Sequence, residues 1–173
     1  MFAAMRSERM EALHLYSDPA TGLEAVVAIH NTKLGPALGG CRYLAYNSLD
    51  DALADAMRLA RGMSYKAALA GLEQGGGKAV ILRQPHVADR AALFEAFGRC
   101  IESLRGGYIT AVDSGTSSAD MDCIAQHTAH VTSTTHAGDP SPHTALGVLA
   151  GMRSAVNARL GQSSLAGVRV VLQ

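Results

Sequence analysis

Two lysines are the residues of this sequence whose surroundings most favour chemistry. Lys66 and Lys78 stand twelve positions apart, and each lies beside small residues that let the backbone approach closely. Two ammonium groups in one partly desolvated cleft favour the loss of a proton from one of them, which can then act as a base. The other can hold a substrate carboxylate. The alternative is a pair of solvated surface lysines, but the glycine runs at 39–40 and 75–77 favour a cleft, because they leave space near each lysine.

Asp113 is the third candidate. It directly follows the apolar run 108–112, which is typical of a strand. Ligands bind at the carboxyl ends of the strands in open α/β sheets, so Asp113 is placed to move a proton beside the lysines. The alternative is an aspartate that caps a helix or a turn, although Ser117 and Ser118 are better placed to cap the next helix.

Two other constellations fit known chemistry poorly. The run 75–78 resembles a phosphate-binding loop, but Leu72 stands where that motif needs glycine and Ala79 where it needs Ser or Thr. His127 and His130 are spaced for one helical face, yet the same segment offers no third ligand of the kind that zinc needs. We therefore predict no metal site.

Composition narrows the class of protein. The 173 residues predict one domain with a fragment of a second, and 15 basic against 15 acidic residues, without a basic run, argue against nucleic-acid binding. Three widely spaced cysteines without a CxxC pair favour a reducing compartment. Charges in the first eleven residues argue against a signal peptide, and no apolar run has membrane-spanning length. We expect a soluble, cytoplasmic protein that contacts no membrane.

The order of elements predicts an α/β fold. Strand patterns alternate with amphipathic helix patterns, and the short link between the first two predicted strands favours an antiparallel pair. The expected architecture is an open mixed sheet, mostly parallel after that pair and flanked by helices. The predicted strands are 23–30, 37–46, 78–82, 108–112, a short one at Val131, and 168–172, which follows a long helix at 143–160.

Five stretches carry a resemblance to a known family: 35–42 (GPALGGCR), 58–66 (RLARGMSYK), 71–78 (GLEQGGGK), 113–122 (DSGTSSADMD) and 140–148 (PSPHTALGV). They resemble the amino-acid dehydrogenases that act on leucine, valine and phenylalanine, which are relatives of glutamate dehydrogenase. The resemblance extends from about residue 17 to residue 173. It implies NAD-dependent oxidative deamination of an apolar L-amino acid to its 2-oxo acid and ammonia, by a homo-oligomer.

The resemblance also implies roles for individual residues. Lys78 would be the general base that activates water on the imino intermediate, and Asp113 would relay the amine proton. Lys66 would bind the substrate carboxylate, and Thr144 would lie near the nicotinamide. The remaining substrate-binding residues would be Gly39 and Gly40 through their backbone, and Leu38, Met63 and Ala111.

The sequence departs from the family pattern in two places. The family usually has Glu and then Asp before a Val-Gly-Thr step, whereas Val112 and Ser114 flank Asp113 here. The connection around His136 is shorter than in leucine dehydrogenases. Both places lie near the predicted cleft, so they concern substrate choice and efficiency.

The resemblance divides the chain in two. The family's second domain starts with a strand and a Gly-x-Gly-x-x-Gly turn, and the chain stops where that turn should come. We therefore expect a substrate-binding and oligomerisation domain at 1–140. Residues 141–173 would form a connecting helix and the first strand of a truncated dinucleotide-binding domain. The alternative is a non-catalytic assembly or binding module of the same fold, inactive as this fragment.

Overall fold

The computed structural model describes residues 1–172, so Gln173, the last residue of the expected second domain, lies outside the described part. The chain divides into two compact units, Met1–Gly138 and the remainder from Asp139. In chain order the elements are α1 (Phe2–Glu8), β1 (Ala12–Asp18), β2 (Leu23–Asn31), β3 (Ala37–Leu44), α2 (Leu49–Leu69), β4 (Gly75–Leu82), α3 (Arg90–Ser103), β5 (Tyr108–Val112), α4 (Ser118–Ala125) and α5 (Ser141–Leu160).

A five-stranded mixed sheet in the order β1-β2-β4-β3-β5 forms the centre of the first unit. Strands β1 and β2, and β2 and β4, pair antiparallel, whereas β4 and β3, and β3 and β5, pair parallel. The predicted α/β fold with an open mixed sheet is confirmed. The three strands that carry the candidate site are the parallel ones.

The predicted pairing of the first two strands is wrong, because β4 lies between β2 and β3. The segment β3–α2–β4 forms a parallel crossover unit, and every residue of β4 except the last is buried, which suits a central strand. Strand β4 also begins at Gly75, so the glycine run belongs to the strand and is not a loop before it. Helix α1 and the edge strand β1 were not predicted.

Several predicted element ends are confirmed by hydrogen bonds. Ser48 caps α2 by accepting from the Asp51 backbone N–H at 3.1 Å. Asp89 and Ser117 cap α3 and α4 in the same way. In the second unit, α5 ends at Gly161, whose φ of 67° is left-handed. The predicted strand at 168–172 is not formed within the described residues. This run pairs with no strand there, and an apolar run becomes a strand only beside a partner that takes its hydrogen bonds.

The two faces of the sheet have separate cores. On one face α3 and α4 cover a large cluster that includes Tyr43, Phe94, Phe97, Tyr108 and Met121. On the other face α2 packs mainly on β2 and β4, with Ala56 and Ala60 against Val26, Ala28 and Val80. The parts of β3 and β5 that face the same way as α2 are only half-buried. Among residues 1–172 we find no helix of the length and hydropathy that crossing a membrane requires.

Candidate active site

Lys78 and Asp113 meet on the α2 side of the sheet. Lys78 lies within β4 and is 6% exposed, and its Nζ donates a hydrogen bond to Oδ2 of Asp113, the residue directly after β5. Gly40 of β3 lies between them. A β-carbon at Gly40 would stand 2.7 Å from the Asp113 Cβ and 3.2 Å from the Lys78 Nζ. Because only glycine leaves room there, Gly40 permits the ion pair across β3.

An apolar surface borders this ion pair. Leu38 is in register with Ile109, and Gly40 with Ala111, and alternation along the strands puts all four on the same side of the sheet as Lys78. These four residues are half-buried. The predicted substrate-binding residues Leu38, Gly40 and Ala111 are thus brought together with Lys78, and Ile109 is an additional member of this surface. Alternation along 108–112 is the sequence signal that indicates Ile109, because it puts Ile109 on the same face of the strand as Ala111.

Gly39 belongs to the opposite side. Its carbonyl oxygen accepts a hydrogen bond of 2.6 Å from the buried Tyr108 hydroxyl. The ring of Tyr108 also packs on Gly77, where an added β-carbon would stand 2.6 Å from a ring carbon. Tyr108 therefore supports the backbone beneath the site, a role that its place in a predicted strand did not indicate.

Lys66 and Met63 lie near the end of α2, as predicted. Lys66 is exposed in the last turn of the helix and makes no side-chain hydrogen bond or ion pair with a described residue. Met63 is half-buried. This helix end contacts β4 at Gly76, where a β-carbon would stand 2.2 Å from the Ser64 backbone nitrogen. The structure thus places Lys66 on the α2 side of the sheet without pairing it directly with Lys78.

The glycine run has a different purpose from the one expected. The sequence suggested that glycines leave empty space beside Lys78. In the structure Gly76 is covered by the backbone of α2 and Gly77 by the ring of Tyr108. Neighbouring groups already occupy the places of the missing side chains, so the run allows close packing of a helix and an aromatic ring on β4.

The loop after β5 holds Asp113 firmly. The Asp113 backbone N–H donates to the Thr116 hydroxyl oxygen at 2.8 Å, and the Thr116 backbone N–H donates back to the Asp113 carbonyl at 3.0 Å. The Thr116 hydroxyl also donates to the Cys41 carbonyl of β3 at 3.0 Å. These bonds tie the aspartate to the neighbouring strand, so the position of its backbone is set by the sheet.

Sequence reasoning missed a second charged group that touches Asp113. Arg42 donates from Nε to Oδ2 of Asp113 at 3.2 Å and from Nη1 to Oδ2 of Asp55 at 2.9 Å. Asp55 lies on α2 and also accepts from Tyr46 at 2.8 Å and from Arg58 at 2.7 Å. Alternation would have placed Arg42 next to Leu38 and Gly40 on one face, which is the signal that could have found it.

Neighbouring charges and hydrogen bonds favour the ionised form of the two carboxyl groups in this cluster, Asp113 and Asp55. Burial of Asp113 favours the neutral acid, but the hydrogen bond and charge of Lys78, with Arg42, outweigh burial and lower the pKa of Asp113. Burial likewise opposes ionisation of Asp55, and the bonds from Arg58, Tyr46 and Arg42 lower its pKa. Burial and the bond to Asp55 raise the pKa of Tyr46 to about 12. Positive and negative charges therefore alternate from β4 to α2.

Thr144 is the predicted residue that belongs to the second unit. It lies in the first turn of α5, is exposed, and donates from its hydroxyl to the Pro140 carbonyl at 3.3 Å. The first turn of a helix presents backbone N–H groups and a positive dipole end, which suit a polar or anionic group.

The domain combines a mixed α/β sheet with an ion pair between the buried Lys78 and the half-buried Asp113, next to a half-buried apolar surface. Residues 9–130 match the family model of the Glu/Leu/Phe/Val dehydrogenase dimerisation domain. The chain belongs to the Glu/Leu/Phe/Val dehydrogenase family, which confirms the resemblance inferred from the sequence motifs.

Relatives agree with this assignment. The chain is 49% identical over 177 residues to leucine dehydrogenase of Geobacillus stearothermophilus, covering 100% of this chain and 48% of that one. It is 48% identical over 164 residues to valine dehydrogenase of Streptomyces virginiae, covering 92% of this chain and 46% of the other. The crystal structure of L-tryptophan dehydrogenase from Nostoc punctiforme matches with 39% identity and a TM-score of 0.75, over 95% of this chain and 47% of that one. The chain thus spans about half the length of these relatives.

Proposed function

We propose that this chain is the substrate-binding part of an NAD-dependent L-amino-acid dehydrogenase that converts an apolar amino acid, such as leucine, valine or phenylalanine, into its 2-oxo acid and ammonia. The observation that carries the proposal is the Lys78–Asp113 pair next to the apolar surface of Leu38 and Ala111. An α-amino acid with a hydrocarbon side chain needs both parts. The similarity to leucine and valine dehydrogenases supports the same chemistry.

Each charged residue then has a task. The exposed Lys66 ammonium would hold the substrate carboxylate, helped by the backbone at Gly39 and Gly40. The ionised Asp113 would accept a proton from the substrate ammonium, which frees the nitrogen lone pair. The Lys78 ammonium would release its own proton to solvent, and the neutral amine would then take a proton from the water that attacks the imino carbon. Asp113 would return its proton to the departing nitrogen. Collapse of that adduct releases ammonia and leaves the 2-oxo acid.

The cofactor, when bound, supplies the hydride acceptor for the substrate Cα. The glycine run at 75–77 does not fit its phosphates, because α2 and Tyr108 occupy the space that an anion would need. Thr144 does fit a polar group, since its exposed hydroxyl lies in the first turn of α5. Within the described residues we therefore assign only Thr144 to the cofactor, and we expect NAD to bind mainly through a domain outside this chain.

Assembly is the second candidate function. The matching family model describes a dimerisation domain, so we expect the chain to take part in a homo-oligomer. This candidate is compatible with the first: the chain would assemble and bind substrate, while turnover would need the cofactor domain as well.

Steady-state kinetics would test the proposal. Full-length protein is mixed with NAD and, in turn, leucine, valine, phenylalanine and glutamate, and NADH absorbance is followed. We expect turnover with at least one apolar amino acid and none with the 173-residue chain alone. Absence of turnover with every apolar substrate would refute the dehydrogenase assignment, and clear turnover by the isolated chain would refute the need for a further domain.

A further inference from the structure

We propose that Arg42 is a positioning residue of this site: its guanidinium, anchored by Asp55, holds Asp113 so that one carboxylate oxygen meets Lys78 and the other is left to meet the substrate. The proposal rests on the dehydrogenase function proposed above. It adds a residue pair, Arg42 and Asp55, whose effect on the reaction would be exerted through Asp113.

The two oxygens of Asp113 are in different surroundings. Oδ2 accepts from both Lys78 Nζ and Arg42 Nε, the latter at 3.2 Å. Oδ1 has the Ser114 hydroxyl at 3.4 Å, a long hydrogen bond that a substrate ammonium could readily replace. The two cations therefore fix the rotation of the carboxylate and leave Oδ1 as the oxygen that can accept a proton.

Asp55 of α2 anchors Arg42 on the side away from Asp113. Its Nη1 donates to Asp55 at 2.9 Å, and Asp55 is kept in place by Tyr46 and Arg58. The side chains of Arg42 and Asp55 are 23% and 17% exposed, so water competes little for these bonds. A planar guanidinium can reach two carboxylates at fixed angles, whereas a lysine offers one point charge. Arg42 thus connects α2 to the loop that carries Asp113.

The proposed reaction rate depends on where the Asp113 carboxylate lies as well as on its charge. A displacement of about 1 Å in a reacting group can cost roughly 10²-fold in rate. The charged groups that face Asp113 are Lys78 from β4 and Arg42 from β3, with Asp55 of α2 beyond Arg42. The Cys41 thiol and the Tyr108 phenol lie on the opposite side of the sheet. Loss of the Arg42 charge would therefore raise the pKa of Asp113 and misplace its carboxylate.

The first test is Arg42→Gln in the full-length protein. We expect kcat to fall by roughly 10²-fold while KM changes by less than about threefold, because the substrate anchors are intact. The acid limb of the pH profile of kcat/KM should move to higher pH, since Asp113 must be ionised to accept a proton. Arg42→Lys should restore the acid limb, because the charge returns, but not kcat. The matched control is Arg61→Gln, which removes an arginine of α2 that pairs with Glu8 at 2.7 Å.

A double-mutant cycle with Asp113→Asn separates positioning from direct contact. If Arg42 acts through Asp113, adding Arg42→Gln to Asp113→Asn should lower kcat no further. Multiplying losses would overturn the proposal, as would unchanged kcat in Arg42→Gln.

Should circular dichroism show that Arg42→Gln does not fold, Asp55→Asn replaces it in the same cycle, with an expected loss in kcat of about tenfold that again vanishes beside Asp113→Asn. Inactive unmutated protein would refute the proposed function as well, whereas active unmutated protein with additive losses would refute this proposal alone.

Discussion

At the scale of single residues, burial separates the two site lysines. Lys78 is 6% exposed and bonded to Asp113, whereas Lys66 is exposed at the end of α2. We predict that Lys78→Ala mainly lowers kcat, by ~10²–10⁴-fold, because a general base acts in the transition state. Lys66→Ala should mainly raise KM, because a carboxylate anchor also acts on bound substrate. Steady-state kinetics of the full-length variants would measure both.

The sequence provides a control for this comparison. Lys33 is the one other lysine of the sequence and is exposed, so Lys33→Ala should change neither constant. A pure and equal KM effect in Lys66→Ala and Lys78→Ala would show that the roles are wrongly assigned.

A second prediction concerns substrate choice and depends on the side chain of Leu38. It is half-buried beside Ile109 on the apolar surface. A lysine at position 38 would place an ammonium group where the side-chain carboxylate of glutamate could pair with it. Burying an unpaired carboxylate against hydrocarbon costs several kcal/mol, whereas a buried branched side chain gains roughly 1.5–3 kcal/mol. We therefore expect a large kcat/KM preference for leucine over glutamate, which shrinks in Leu38→Lys and persists in Leu38→Met. Equal activity on both substrates in the unmutated protein would contradict the prediction.

Local sequence explains why some site residues were predictable and others were not. Lys78 and Asp113 are marked by residue type and by their places in or just after apolar strand patterns. Arg42 and Asp55 are ordinary charged residues in sequence, and their significance comes from contacts that span 71 and 13 positions. Such contacts depend on the order of strands in the sheet, which spacing along the chain does not determine.

At the scale of elements, the contact of α2 with β4 depends on Gly76. A β-carbon there would stand 2.2 Å from Ser64 N and 2.5 Å from Ala60 O, both on α2. We predict that Gly76→Ala destabilises the protein by roughly 1–3 kcal/mol, because the helix must move away from the strand. Urea denaturation of the full-length protein, monitored by circular dichroism, would measure the change.

Gly62 of the same helix is the matched control. An added β-carbon at Gly62 has no described atom within 4 Å, apart from its chain neighbours and the helix's own backbone. Gly62→Ala should therefore stabilise the protein by roughly 0.5–1 kcal/mol, because alanine favours the helix. If both substitutions had the same sign, close packing at Gly76 would not be the reason for glycine there.

The elements themselves were predicted better than their arrangement. Helices α2 to α5 follow from apolar spacing and caps such as Ser48, Asp89 and Ser117. The neighbour of β2 was assigned wrongly, because a short link suggests a hairpin while the crossover through α2 brings β4 between β2 and β3. The glycines of β4 also have low strand propensity, so tertiary packing decided their conformation.

At the scale of the whole molecule, the core lies entirely in the first unit. Every residue of the two apolar clusters precedes Gly138, and α5, which the structure describes in full, has no buried residue. We predict that residues 1–138 fold without the rest of the chain. Their thermal unfolding should be cooperative, with a Tm within about 4 °C of that of the 173-residue chain, as expected for a stability change below about 1 kcal/mol. Loss of a cooperative transition would contradict this.

The position of β5 affects the fraction of molecules in which the candidate site is assembled. In the described residues β5 is an edge strand, with β3 on one side and a single bridge from Thr110 to Val131 on the other. Lys78 belongs to β4, which has strands on both sides. Edge segments open locally at lower free energy than central ones. Fraying at the C-terminal end of β5 would part Asp113 from Lys78 while Tyr108 stays packed on Gly77. Amide hydrogen exchange at Val112 and Asp113 would therefore report the fraction of molecules in which the Lys78–Asp113 pair is open.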